Sequence, residues 1–158
     1  MLKPGGFGQQ TIQLKVVRAK LATGDYALMG YEKLSLVERK GSITELYQNC
    51  LTKDKVRFEA CLKRLSEESA DPWVLVEGSP SSLFKPNRHL PVEPGTVIDG
   101  LQRLLMAYNV GLLLMPAKSA GERRAAGEWV ARRLINRALF QDLHPTHGDS
   151  QTIPRPTE

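Results

Sequence analysis

Long apolar runs are missing from this sequence. The longest, residues 110–117, contains Gly111 and Pro116 and is far shorter than the roughly 20 apolar residues that a membrane-spanning helix needs. The first ten residues contain no apolar stretch of the kind found in secretory signal peptides. Both absences argue against membrane insertion and export, so we expect a soluble, unsecreted protein of the cytoplasm.

Cysteine, histidine and aromatic residues are also scarce. Cys50 and Cys61 have no metal-ligand spacing, and Cys61 lies in an apolar helical stripe, which is typical of a small core residue in a reducing compartment. The histidines, His89, His144 and His147, are isolated. Aromatic residues make up 6% of the chain, so few are spare for stacking on bases. A cysteine or histidine metal centre is therefore not predicted.

Acidic residues are absent from residues 1–24, which carry Lys15, Arg18 and Lys20. The whole chain has a formal charge of +5 at pH 7, which favours a polyanionic partner such as nucleic acid. With 158 residues, 41% of them hydrophobic, the chain is suited to one domain with a sizeable core.

Hydrophobic periodicity and capping residues predict the elements of that domain. Apolar segments predict strands at residues 11–18, 25–31, 33–39, 73–76 and 110–115. Helices are predicted at residues 43–51, 53–69, 96–108 and 120–140, begun by Ser42, Thr52, Thr96 and Ser119. Outside them we expect a loose arm at 1–10, a long loop at 78–94 and a disordered, proline-rich tail at 144–158. The order β β β α α β α β α predicts a single α/β domain, residues 11–143, whose mixed central sheet is flanked by helices.

The end of the third predicted strand carries an unusual run of charges. Leu36 and Val37 lead directly into Glu38, Arg39 and Lys40, although a strand more often ends in a turn. With Asp25 on the preceding strand, these residues form the pattern D-x12-E-x-K. A metal-dependent nuclease needs two carboxylates for a divalent ion and an amine for the attacking water or the phosphate charge. A surface hairpin with scattered charges is the alternative interpretation.

Several segments carry a resemblance to a known family. The Gly24-Asp25 pair followed by Val37-Glu38-Arg39-Lys40 resembles the G-D-x(n)-E-R-K signature of XPF-type structure-specific nuclease domains, which belong to the PD-(D/E)xK superfamily. Three further stretches are similar to that family's basic helix, its central V-E-G strand and its closing helix–strand–helix: residues 52–59, 73–78 and 97–139. The resemblance covers about residues 13–140 and implies a restriction-endonuclease-like fold, as in short stand-alone phage or bacterial members.

The resemblance implies a DNA endonuclease that cuts branched or flapped DNA with Mg²⁺ or Mn²⁺, in DNA repair or recombination inside a bacterial or phage-infected cell. Asp25, Glu38 and the backbone carbonyl of Arg39 would be metal ligands, and Lys40 would orient or activate the water. The Arg39 side chain would either hold a phosphate or anchor an acid on the far face of the strand.

The sequence departs from the family pattern at two places. The signature continues as E-R-K-x3-D, but position 44 is Thr44 and the nearest acid is Glu45. The acid-free residues 1–24 also lack the family's opening D-x-R-E motif. A catalytically silent DNA-binding or scaffold protein of the same fold is therefore the alternative function.

Supporting roles are expected for residues around this pattern. Glu45 is either a capping residue or a site acid, while Glu77 and Gln48 are either supporting site residues or solvent-facing side chains. The residues predicted to contact DNA, with solvated faces as the alternative, are Lys53, Lys55, Arg57, Lys85 and Arg88. A homodimer through the nuclease domain is a further hypothesis from the resemblance.

Overall fold

The computed structural model describes residues 13–87 and 91–143. The predictions for the arm at 1–10, the tail at 144–158 and Arg88 lie outside the described residues. Within them, no helix has both the length and the apolar content to cross a bilayer.

Strands and helices follow one another along the described chain in nearly the order that the sequence predicts. In chain order they are β1 (Tyr26–Ala27), β2 (Leu36–Lys40), α1 (Ile43–Leu51), α2 (Lys55–Glu68), β3 (Pro72–Glu77), α3 (Pro80–Leu83), α4 (Pro94–Ala107), β4 (Gly111–Met115) and α5 (Ala120–Leu143). The α/β fold class is confirmed.

The strands form one mixed sheet in the order β1-β2-β3-β4. β1 is antiparallel to β2, with Tyr26 opposite Val37, whereas β2, β3 and β4 are parallel. The carboxyl ends of the three parallel strands therefore meet at one edge, and β1 begins at that edge. We call it the carboxyl edge and the opposite one the amino edge.

Each face of the sheet is covered by helices, because alternate side chains of β2 and β3 point to opposite faces. On one face Leu36, Val74 and Val76 are buried with residues of α1, α2 and α4. On the other, Val37 and Leu75 are buried with residues of α5. Burying one such side chain contributes about 1.5–3 kcal/mol. This alternation places Glu38 and Lys40 towards α1 and α2, and Arg39 on the side of α5.

Helix α5 is held against the amino edge by a stack of charged and aromatic groups. Arg133 Nη2 donates to both carboxylate oxygens of Asp71, at 2.6 and 2.7 Å. The guanidinium carbon lies 3.8 Å from the Trp73 ring centroid. Trp73 in turn meets Trp129 edge to face, with centroids 6.2 Å apart. The ring of Trp73 also lies against Gly111 of β4, where a Cβ atom would come within 2.6 Å of it.

The structure corrects five sequence-based expectations. The long loop expected at 78–94 contains the short helix α3, and its last residue, Pro94, begins α4. Residues 13–18 of the predicted first strand form no strand, and Val16 is 91% exposed. The strand predicted at 25–31 shrinks to Tyr26–Ala27. Helix α4 begins two residues before Thr96, because Pro94 supplies the fixed φ that suits a first helical position. Strand β4, expected to be buried, is half-buried because it is the last strand of the sheet and has a neighbouring strand on one side only.

Candidate active site

The carboxyl end of β2 is fixed by the turn that follows it. The Ser42 hydroxyl accepts a hydrogen bond from the Glu45 amide at 3.1 Å, which caps α1. The Glu45 carboxylate accepts one from the Gly41 amide at 2.8 Å. The strand must therefore end at Lys40, and the Glu45 carboxylate is engaged in closing the turn beside it.

Glu38 and Lys40 form an ion pair on the face that packs against α2. Lys40 Nζ donates to Glu38 Oε1 at 2.9 Å, and the two side chains are 11% and 16% exposed. The ammonium also lies 5.4 Å from the ring centroid of Phe58 on α2. Burial raises the pKa of the neighbouring Cys61 thiol to about 11, with the Glu38 carboxylate adding to the effect. An acid and an amine are thus held together on a largely buried face of the sheet.

Asp25, the residue directly before β1, contacts the same end of β2. Its amide donates to the Val37 carbonyl at 2.8 Å, and its Oδ2 accepts from the Arg39 amide at 2.7 Å. Extending the β1–β2 register by one residue puts Asp25 opposite Glu38. Gly24 permits this approach, because its φ is +76° and a Cβ atom there would lie 3.3 Å from the Val37 carbonyl oxygen. Both acids of the D-x12-E-x-K pattern therefore lie at the carboxyl edge.

Arg39 points away from this pair and contacts the end of β3. Its Nε donates to Glu77 Oε1 at 2.5 Å, and that hydrogen bond raises the pKa of the guanidinium. In this structure Arg39 thus anchors an acid on the far face of the strand. The Glu77 carboxylate faces the guanidinium on that side, opposite to the face that carries Glu38.

The remaining predicted site residues lie on the segments that follow β2 and β3 in the chain. Gln48 is exposed on α1, Lys53 lies just before α2, and the basic side chains of α2 and of the segment after α3 face solvent: Lys55, Arg57 and Lys85. Within the described part of the chain, no three side chains of the His, Cys, Asp and Glu types come together as a set able to hold a metal ion. Any ion at this edge would need the backbone, water or substrate as further ligands.

The apolar spacing of α2 assigns Phe58 to the core, as the structure confirms, but it does not predict the contact of the ring with Lys40. That contact joins a strand to a helix after an intervening helix, so no local spacing reveals it. The aromatic residue in the basic segment 52–59 is the one signal that could have drawn attention to it.

Comparisons with known proteins identify the fold. The sequence matches no protein-family model and no curated protein. Among solved structures, the chain is similar to XPF from Aeropyrum pernix, with a TM-score of 0.54 and 20% identity over 82% of this chain and 61% of that one. It is also similar to XPF from Aeropyrum pernix in complex with DNA, with a TM-score of 0.51 and 19% identity over 83% of this chain and 55% of that one. The chain spans about three fifths of the XPF chains it matches, and it shares their α/β fold.

Proposed function

We propose that residues 11–143 form a metal-dependent DNA endonuclease domain that hydrolyses phosphodiester bonds in branched or flapped DNA. The observation that carries this proposal is the meeting of Asp25, Glu38 and Lys40 at the carboxyl edge. Lys40 lies 2.9 Å from Glu38, and Asp25 is bound to the amide between them at 2.7 Å. The shared fold with XPF supports the same reading.

The donor set suits Mg²⁺ or Mn²⁺. Asp25 and Glu38 supply carboxylate oxygens and the Arg39 backbone supplies a carbonyl, and hard divalent ions prefer such oxygen ligands. Mg²⁺ commonly binds to one or two carboxylates, with water and substrate phosphates completing its octahedron. When bound, the ion would lower the pKa of a coordinated water and neutralise charge on the phosphate.

Lys40 and Arg39 have separate tasks in this proposal. Lys40 carries its ammonium on the same face as Glu38, where it would orient the attacking water or stabilise charge that develops on the phosphate. The Phe58 ring under the ammonium helps to hold it there. Arg39 is a positioning residue: its ion pair with Glu77 ties the end of β2 to the end of β3.

Basic residues beside the edge would bind the DNA backbone. Lys55 and Arg57 are exposed at the start of α2, Lys53 is exposed just before it, and Lys85 is exposed after α3. Phosphate contacts of this kind position a duplex without reading its sequence. One of the two XPF structures is a complex with DNA, which supports DNA as the partner here.

A catalytically silent DNA-binding protein is the second candidate. It is favoured by the engagement of the nearby acids: Glu77 is paired with Arg39, and Glu45 is bonded to the Gly41 amide. Within residues 13–87 and 91–143, the two acids that remain for an ion at this edge are Asp25 and Glu38, and each already has a partner, the Arg39 amide and Lys40. Such a protein would bind branched DNA and leave it intact.

The test is cleavage of a labelled flap and a four-way junction in Mn²⁺, with the wild type compared with Glu38→Gln. We expect the substitution to lower the cleavage rate at least about 100-fold, because metal ions supply several kcal/mol of transition-state stabilisation. Chelation of the metal should abolish cleavage. Glu67→Gln is the matched control, since that acid on α2 is 61% exposed. Equal cleavage by wild type and Glu38→Gln would reject the site, whereas binding without cleavage by the wild type would favour the silent protein.

A further inference from the structure

An aromatic ring stands exposed next to the carboxyl edge. Phe84 follows α3 and is 68% exposed, in contrast to Phe58, which is 2% exposed in the core. Phe84 therefore lies outside the core, and the proposed hydrolysis gives it no role.

The backbone that carries this ring is firmly held. Leu83 is 6% exposed, and its carbonyl accepts a hydrogen bond from the buried hydroxyl of Tyr47 on α1. The Phe84 amide donates to the Ser82 carbonyl, and the Asn87 side-chain amide donates to the Thr44 hydroxyl at 3.2 Å. A ring on such a backbone loses little freedom when a ligand covers it, which favours binding.

The same contacts place the segment that carries the ring beside α1, the helix that follows β2. Thr44 lies in the first turn of α1, four positions after Lys40, a span of at most about 14 Å, and Phe84 lies three positions before Asn87, a span of at most about 11 Å. Stacked nucleotides rise by about 3.4 Å. A DNA strand that lies in the site and continues along this face would therefore reach Phe84 within about ten nucleotides of the cleaved bond.

The charge around the ring suits a nucleic acid. Lys85 follows Phe84 directly and is exposed, and the sequence has no acidic residue between Glu77 and Glu93. An aromatic face beside a cation fits a nucleobase and its phosphate. Paired bases inside a duplex already have both faces covered by their neighbours, so the ring can accept only an unpaired or terminal base.

The geometry points to Phe84 and Lys85 as a stacking platform for an unpaired nucleobase within about ten nucleotides of the cleaved bond, an inference that rests on the proposed function and deepens it. The platform gives the domain a means of preferring branched or flapped DNA over continuous duplex. Stacking by Phe84 supplies the preference for an unpaired base, and Lys85 adds affinity for any DNA backbone.

The experiment measures binding of the full chain to a flap and to a duplex of equal length, in EDTA so that no DNA is cut. The flap carries 2-aminopurine in its first unpaired nucleotides, whose fluorescence falls on stacking. We expect Phe84→Ala to lose the quenching and to weaken flap binding about 5- to 150-fold, as loss of one base–aromatic stack predicts. Duplex binding should be unchanged, and Phe84→Trp should restore the quenching.

Two matched variants sharpen the result. Met106→Ala removes a side chain that is 72% exposed but lies at the end of α4, next to the amino edge, and should change neither affinity. Lys85→Ala should weaken flap and duplex alike and reduce the slope of log K against log salt by about 0.9.

Each contrary result is distinct. If Phe84→Ala binds the flap as tightly as the wild type, the platform is rejected and the endonuclease proposal stands. If the wild type binds no DNA, both are rejected. If Phe84→Ala lost equal affinity for flap and duplex, Phe84 would be a general DNA contact. If Phe84→Ala changed the mass in light scattering from dimer to monomer, the ring would belong to a self-association surface. Either result overturns the inference.

Discussion

The Glu38–Lys40 pair should have a measurable role in stability as well as in activity. The two charges lie 2.9 Å apart, with side chains only 16% and 11% exposed. Exposed ion pairs contribute about 0–1 kcal/mol, whereas removing one partner of a fully buried pair costs about 3–5 kcal/mol. Because this pair is nearly but not fully buried, we expect Glu38→Ala to lower the free energy of unfolding by about 2–3 kcal/mol.

The physical reason for that loss is the ammonium left behind. In Glu38→Ala, the Lys40 ammonium would lie beside Phe58 without a carboxylate partner, and the ring would offset only part of its desolvation, about 1–2 kcal/mol. Adding Lys40→Met removes the unpaired charge and keeps an apolar side chain of similar length. The double variant should therefore recover most of the lost stability, while it should cut no DNA.

Denaturant unfolding followed by circular dichroism measures the free energy of unfolding of the wild type, Glu38→Ala, Lys40→Met and the double variant. For a domain of this size, about 3–4 °C of Tm accompanies each kcal/mol, so Glu38→Ala should melt about 6–12 °C below the wild type. Glu67→Ala is the control, because its pair with Lys63 is 61% exposed on both sides and its loss should cost less than about 0.5 kcal/mol. A Glu38→Ala protein as stable as the wild type, or a double variant no better than Glu38→Ala, would refute the reasoning.

Two further outcomes follow from buried groups. Burial raises the pKa of Cys50 and of Cys61 to about 11, so at pH 8 each thiol should react with iodoacetamide roughly 100-fold more slowly than in the unfolded chain and should gain reactivity as the pH rises; equal rates with and without denaturant would contradict this. Gly111→Ala should lower stability by about 1–3 kcal/mol, because the new Cβ would lie 2.6 Å from the Trp73 ring. Gly100→Ala, where nothing lies within 4 Å, should be neutral or stabilising in the same melting experiment.

Much of the fold follows from chemistry that is local in the sequence. Ser119 and Glu122 predict a capping box, and the structure shows both of its hydrogen bonds, at 3.1 and 2.8 Å. The alternation in residues 11–18 is different, because it indicates that a strand there would have one polar face but not that a partner strand exists. Residues 13–18 pair with no strand and lie outside the sheet.

In the candidate site, too, some contacts can be predicted from local spacing and others cannot. Spacing alone predicts that Glu38 and Lys40 share a face and that Arg39 points to the other. It does not identify Glu77 as the acid that meets Arg39, because that contact depends on the parallel register of β2 and β3. Registers between distant strands are set by the packing of both faces of the sheet, which no short pattern contains.

Both tryptophans of the chain, Trp73 and Trp129, belong to the stack that Arg133 completes at the amino edge. Tryptophan fluorescence therefore reports whether α5 is packed against the sheet, and both tryptophans lie at the end of the sheet opposite the proposed site. An experimenter can titrate DNA against this protein and read its integrity from the tryptophans in the same cuvette.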